Sequence, residues 1–506
     1  MQPATRRDFL KVAGLGAASA ALFPSLGKNA EAAFQGLEKK NPNIVFVFSD
    51  DHSTQTIGAY GRRLSAFCKQ QGVTPNIDNL AEEGGLFVNS FCGNALCSPS
   101  RASVLTGLLS HANGVMTLGK PITPGLWTYP RGLRDAGYQS MVIGKWHLGS
   151  TIPEFTDYAI FPGQGSYENP EFETPKGKEK STGYATDLIT ERALAWLKKR
   201  DPVKPFFLAV HHKAPHRPWV PPSRYCAWLD SVAVPEPDTL FDDYANRASP
   251  AHNQKMQISR DMKLNSDLKI SPRDAQKPDY LARNTEFARL KPEGDALTRW
   301  KYQQYMKDYL RCVKAVDDSL GAIRDLLHQE GLDENTIIIY SSDQGFFTGE
   351  HGWFDKRWIY EESIHMPFII RWPNVVKPGT RFTPFIQNID YAETFVDLAG
   401  GTPPDGLHGR SLVPVLRGTM MPSDWRHSVY YHYYDPGHGV AKHYGIRTGR
   451  YTLVNFYETK EWELFDNEKD PQQLRSVYAD PTYAQTLAEL KAELERLRAY
   501  YKDTTL

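Results

Sequence analysis

Five short apolar runs punctuate the chain, at residues 43–48, 138–143, 205–210, 336–340 and 366–370. They do not alternate with polar positions. Runs of that kind predict strands buried on both faces, as a parallel sheet requires. Helical periodicity lies between them. Residues 184–200 place Ile189, Ala193, Trp196 and Leu197 on one face. Residues 295–329 repeat Tyr309, Val313, Val316, Leu320, Ile323 and Leu327 at steps of three and four, and Gly331 stands where such a helix should stop. Strands alternating with helices predict an α/β fold: a doubly wound, mostly parallel sheet flanked by helices.

Two segments break this rhythm. Residues 230–295 are polar, carry prolines and recurrent aromatics, and predict an ordered insertion wrapping the main domain of residues 40–418. After Gly418 the runs shorten. Residues 427–434, 445–448, 451–457 and 461–465 predict antiparallel strands, and residues 484–501 an amphipathic closing helix. Residues 419–506 thus predict a small α+β subdomain with an antiparallel sheet.

Lys plus Arg and Asp plus Glu are both 59 in 506 residues, so the formal charge is zero, which excludes a strongly basic nucleic-acid binder. Hydrophobic residues at 41% and charged residues at 23% describe a globular chain. No apolar run reaches the roughly 18 residues that would suggest a membrane span. The start of the chain, Thr5-Arg6-Arg7-Asp8-Phe9-Leu10-Lys11, precedes an Ala/Gly-rich apolar stretch and a small-residue exit at Ala30-Glu31-Ala32. It resembles a bacterial twin-arginine (Tat) signal over residues 1–32, implying passage through the Tat translocon and a periplasmic or extracellular protein. The five cysteines, Cys68, Cys92, Cys97, Cys226 and Cys312, are too few for a disulfide scaffold.

Chemistry collects where the strands end. The first run ends in Asp50-Asp51-His52, the second in Gly144-Lys145-Trp146-His147, the third in His211-His212-Lys213-Ala214-Pro215-His216, and the fourth in Asp343-Gln344-Gly345. Ligands of doubly wound sheets bind beyond the carboxyl ends of the strands. Any one of these groups alone is a cap or a satisfied loop residue; four placements in a row predict a site. Asp50, Asp51, Asp343 and Gln344 offer hard oxygens, which suit Ca2+ or Mg2+ better than zinc, and Ca2+ best tolerates an irregular carboxylate set. Cys97-Ser98-Pro99-Ser100-Arg101 starts a predicted helix, whose free N–H groups favour an anion and should acidify the cysteine.

The stretch Cys97-x-Pro99-Ser100-Arg101 with Leu105-Thr106-Gly107 resembles the signature of the type I, formylglycine-dependent sulfatases of the alkaline-phosphatase-like superfamily. So do Asp50-Asp51, Gly144-Lys145-Trp146-His147, Pro215-His216-x-Pro218, Asp343-Gln344-Gly345 and Gly349-Glu350-His351-Gly352 followed by Lys356. The resemblance covers nearly the whole chain after residue 43. It implies conversion of Cys97 to formylglycine by a separate maturation enzyme. It also implies one Ca2+ held by Asp50, Asp51, residue 97, Asp343 and Gln344. Arg101 and Lys145 would hold the hydrated aldehyde, and Lys145, His216 and Lys356 the sulfate. His216 would protonate the leaving oxygen and His147 would assist release of sulfate from the enzyme.

The runs at 211–219, 343–357, 434–438 and 443–447 resemble carbohydrate sulfatases of the N-acetylglucosamine-6-O-sulfatase type. That implies a sulfated carbohydrate substrate, from a glycosaminoglycan, mucin or algal polysaccharide. Asp355, His438, His443 and Arg447 are candidate substrate-binding residues. Two other functions remain open to this sequence: a phosphonate or phosphate monoester hydrolase of the same superfamily, and a non-catalytic relative that binds sulfated glycans.

Overall fold

The computed structural model describes residues 41–419, 425–435 and 437–505. The twin-arginine segment, residues 1–32, lies outside them. A ten-stranded sheet forms the centre. Its strands are β1 (Asn43–Ser49), β2 (Gly85–Phe87), β3 (Gln139–Lys145), β4 (Asp157–Phe161), β5 (Glu171–Thr174), β6 (Gly177–Lys180), β7 (Phe206–His211), β8 (Thr336–Ser342), β9 (Phe368–Arg371) and β10 (Thr380–Phe382). They lie in the order β10-β2-β9-β8-β1-β7-β3-β4-β5-β6. The middle is parallel: β8, β1, β7, β3 and β4 run together. The edges are mixed. β9, the fifth apolar run, pairs antiparallel with both β8 and β2, and β5 and β6 form an antiparallel pair beside β4.

The apolar runs behave as their lack of alternation predicts. In β1, Ile44, Phe46 and Phe48 face one core, while Val45 and Val47 face the other. Helix α1 (Cys97–Thr106) packs Ala102, Val104 and Leu105 into the first core. Helix α2 (Ala185–Lys199) packs Ile189, Ala193 and Leu197 into the second. The insertion contributes Val234, Leu240, Ile258, Met262 and Leu268 to that second core, and it contains α3 (Pro278–Leu290), a helix its polar composition concealed. The long α4 (Gly294–Gln329) lies against the same face. It ends as Gly331 requires: Gly331 has φ +67°, its N–H reaches His328 O at 3.1 Å, and Leu332 N–H reaches Leu327 O at 2.8 Å. That double bond pattern is a Schellman stop.

A second sheet closes the chain. β11 (Ser428–Tyr433), β12 (His443–Thr448), β13 (Tyr451–Phe456) and β14 (Glu461–Asp466) are antiparallel neighbours in sequence order. One face carries Tyr430, Tyr444, Ile446, Leu453 and Leu464 and packs Leu490, Leu494 and Leu497 of α5 (Ala484–Tyr501). The other face carries Tyr431, Tyr433, Val454, Phe456 and Phe465 into the first core of the main sheet.

Candidate active site

Strand register brings the motifs together. Ser49 of β1 pairs with Ser342 of β8, so Asp50 and Asp343 leave the sheet side by side. His211 of β7 pairs with both Phe48 of β1 and Gly144 of β3, which sets Lys145 beside them. Helix α1 begins at the same edge. Its first residue, Cys97, is buried, with Sγ 3.5 Å from Asp50 Oδ1 and 3.5 Å from Lys356 Nζ.

The pocket is a lattice of carboxylates and cations. Lys145 Nζ donates to Asp50 Oδ2. Lys356 Nζ donates to both Asp51 oxygens at 2.6 Å. Arg101 Nε donates to Asp343 Oδ2 at 3.1 Å, its NH1 to Lys145 O at 2.9 Å, and its NH2 lies 3.8 Å from Asp50. Gln344 Nε2 donates to Asp51 and lies 3.9 Å from Cys97 Sγ. His216 Nε2 stands 3.9 Å from Asp51 Oδ2. Its Nδ1 lies 2.5 Å from the carbonyl of Arg217, which can only accept, so Nδ1 carries the proton.

Asp50, Asp51 and Asp343 offer oxygens within 4.8 Å of one another, all buried. Burial alone would raise Asp50, but Lys145, His216, Arg101 and Lys356 hold its carboxyl well below the usual range. Burial pushes Asp51 up in spite of Lys356, and Asp50 adds to the push. Asp343 is pushed further, by burial and then by Asp50. Gln344 Oε1 is buried without a hydrogen-bond partner among the described residues. Crowded carboxylates and one orphaned amide oxygen are a donor set that suits a hard divalent cation.

Cys97 departs from the helix-terminus expectation. Burial, with Asp50 next, pushes its thiol up to about 12 in spite of Lys145 and Lys356. The helix end does not make it a thiolate. His147 lies in the same pocket wall: its carbonyl accepts from Ser98 Oγ at 2.6 Å, and its buried Nδ1 has no partner among the described residues. Burial and the Lys145 charge push His147 down to about 2, so the ring is neutral.

The four substrate-binding candidates divide. Asp355 precedes Lys356 and pairs with Arg357 at 2.7 Å. His438 is partly exposed and lies 3.4 Å from Asp435. His443 and Arg447 are not brought to the pocket surface. His443 is fully buried; Nε2 accepts from Ile359 N at 3.1 Å, Nδ1 engages Ala441 O at 2.8 Å, and the ring packs against Tyr431, Trp358 and Phe456. Arg447 is tied to Glu361 at 2.9 Å and lies over Phe91 and Phe385. Both residues join the second sheet to the segment after Lys356, so their polar groups are spent on packing.

A sulfatase family profile matches residues 42–401, and a profile for the C-terminal part of N-sulphoglucosamine sulphohydrolase matches residues 349–500. The chain belongs to the sulfatase family. The sulfatase is 41% identical to an N-acetylglucosamine-6-O-sulfatase of Bacteroides thetaiotaomicron, over 92% of this chain and 88% of that one. It also superimposes with TM-score 0.87 on a solved protein in complex with its substrate D-glucosamine-2-N,6-O-disulfate, at 41% identity, covering 92% and 99% of the two chains. A phosphonate monoester hydrolase of Agrobacterium radiobacter shares the fold, at TM-score 0.67 and 23% identity, with 91% and 96% covered.

Sequence reasoning missed one supporting residue of this sulfatase pocket. Tyr309 OH donates to Asp51 O at 2.6 Å and accepts from Ser53 N at 2.8 Å. It fixes Asp51 in a left-handed conformation, φ +72°. Its place in the apolar stripe of α4 disguised it as ordinary core.

Proposed function

We propose that this sulfatase removes sulfate from a carbohydrate ester, using an aldehyde made from Cys97 and one bound Ca2+. It would act outside the cytoplasm, after export by the Tat translocon and after a formylglycine-generating enzyme has matured residue 97. The observation that carries the reading is the gathering of Asp50, Asp51, Cys97, Lys145, Asp343 and Lys356 in one buried pocket. The substrate class is supported by the names of the relatives that match along nearly the whole chain. Among the described residues, no helix is long and apolar enough to cross a membrane.

The pocket residues suit sulfate transfer. A thiol held near 12 is a poor nucleophile at neutral pH, which supports the need for conversion. The cation would lie on Asp50, Asp51, Asp343 and Gln344, and with the hydrated aldehyde it would supply an activated hydroxyl at position 97. Lys145, Lys356 and Arg101 keep positive charge around the sulfate oxygens, where negative charge grows during transfer. His216 holds its Nδ1 proton against Arg217 O, so Nε2 is the nitrogen left for chemistry. Burial holds His216 well below its ordinary value, in spite of Asp50, so the ring is neutral in the free pocket and can donate from Nε2 only once the anionic substrate draws a second proton onto it. That proton goes to the departing sugar oxygen, which is a poor leaving group without it. His147, neutral and with a free nitrogen, is built to accept a proton. Asp355, buried beside Lys356, and the partly exposed His438 would read sugar hydroxyls.

Peptide mass spectrometry across residue 97 tests the first step, where an aldehyde should replace the thiol. A screen of the matured protein against sulfated mono- and oligosaccharides then tests the second, with N-acetylglucosamine-6-sulfate expected to turn over. Preference for a phosphonate monoester over every sulfate ester would refute the reading, as would binding of sulfated glycans without turnover.

A further inference from the structure

The segment carrying His216 has no place in any sheet or helix, yet every backbone carbonyl from residue 216 to 220 is engaged. His216 O accepts from Tyr167 OH at 2.5 Å and from Trp219 N at 3.2 Å. Arg217 O takes the His216 ring nitrogen. Pro218 O and Trp219 O both accept from Lys269 Nζ, at 2.6 and 2.7 Å. Val220 O accepts from Tyr184 OH at 3.0 Å. Side chains from elsewhere thus supply donors that a strand partner would normally give.

Those side chains are themselves firmly mounted. Tyr167 and Tyr184 stack, with ring centroids 5.9 Å apart, and Tyr167 O accepts from Ala185 N at 2.7 Å at the start of α2. Lys269 belongs to the 230–295 insertion and is buried. Its ammonium also lies 2.9 Å from Asp267 O and 3.0 Å from Asp308 Oδ2, so its three N–H groups are shared among four acceptors. Asp308, fully buried on α4, is held in turn by Arg283 and Arg311.

We propose that Tyr167 and Lys269 are positioning residues for leaving-group protonation: they clamp the carbonyls on either side of Arg217, whose own carbonyl holds the His216 ring, and so aim its Nε2 at the departing oxygen. Neither touches the carboxylate–cation lattice. The inference rests on His216 being the general acid. It also gives the insertion a catalytic purpose, since Lys269 reaches from it into the loop of the acid. A general acid is worth about 10²–10⁴ in rate when well placed, and misplacement by about 1 Å can remove 10²-fold.

Leaving groups supply the test. A sugar alkoxide needs the proton; 4-nitrophenolate leaves without it. In the matured protein, Tyr167→Phe is expected to lower kcat on N-acetylglucosamine-6-sulfate by about 10-fold or more, with KM little changed, and to leave 4-nitrophenyl sulfate within about twofold. Lys269→Met should show the same split. Should Lys269→Met fail to fold, Tyr167→Phe, which loses a single oxygen, decides alone. An equal loss on both esters marks a merely structural role and overturns the proposal, as does no loss on either. His216→Ala is the control. If that variant shows no split, the general-acid reading fails and the inference falls with it; if it shows one and Tyr167→Phe does not, only the clamp is wrong.

Discussion

Burial acts on individual side chains in opposite senses within one pocket, and the sense follows from what each must do. Cys97 and Asp343 are pushed up, His147 is pushed down, and Asp50 is held low by its cationic neighbours, Lys145 first. A residue whose ordinary acid–base chemistry is suppressed at its site is a candidate for chemistry of another kind. Cys97→Ala is therefore expected to abolish turnover while keeping the melting temperature within a few degrees, because a buried thiol at a helix start loses little packing when it becomes Ala. A variant retaining near-normal kcat would remove residue 97 from the reaction.

Burial also couples pH to stability away from the pocket. Glu463 is fully buried; it accepts from Tyr360 OH at 2.7 Å and from Ala248 N at 2.8 Å, and burial raises it to about 7. Between its unfolded value and 7 the folded state binds more protons than the unfolded state, so stability falls as pH rises through that window. Glu463→Gln keeps the shape and removes the charge. It should raise stability at pH 8 by up to about 3 kcal/mol and change little at pH 4, read from denaturant melts at the two pH values. At this scale the sequence was legible only for residues that form motifs. Asp50, Lys145, His216 and Lys356 could be read because chemistry demands those types in that order. His443 and Arg447 are chemically just as suggestive, but their partners Ile359 and Glu361 come from another element, and no spacing along the chain reveals that. Tyr167 and Lys269 were hidden for the same reason.

Among the elements, the parallel strands were the most legible part, since unbroken apolar runs mean burial on two faces. Register was not legible, and register assembles the site. The pairing of Gly144 with His211 is the tightest case. Gly144 has φ +100°, and a Cβ there would sit 2.1 Å from His211 O. No side chain fits without parting β3 from β7, and the next residue is Lys145. Gly144→Ala should cost about 2–5 kcal/mol through strain and crowding. It should also lower kcat/KM beyond what the folded fraction explains, because Lys145 moves with the strand. A melt and a rate matching the parent would show that the backbone there has room. Edge strands and α3 escaped the sequence pattern because their outer faces are polar and short, so periodicity carried little signal.

For the molecule as a whole, the acidic cluster couples distant parts of the chain. Asp50 and Asp51 follow β1, Asp343 and Gln344 follow β8, and Cys97 opens α1; all converge on one point. Burial, and after it the neighbouring Asp50, pushes Asp51 and Asp343 up, and a cation among the three carboxylates would relieve both. A cation that binds only the folded arrangement must therefore stabilise the entire fold. At 100-fold excess over its dissociation constant the gain is about 2.7 kcal/mol. Chelation should lower both the melting temperature and the rate, and added Ca2+ should restore both, with half-restoration at the same concentration in the two measurements. Asp343→Asn should blunt the calcium-dependent rise in melting temperature, and because it also takes away the buried carboxylate that Arg101 pairs with, the metal-free melt should not rise. A melt indifferent to chelator and to Ca2+ in the parent protein would mean that Lys145, Lys356 and Arg101 neutralise the cluster by themselves.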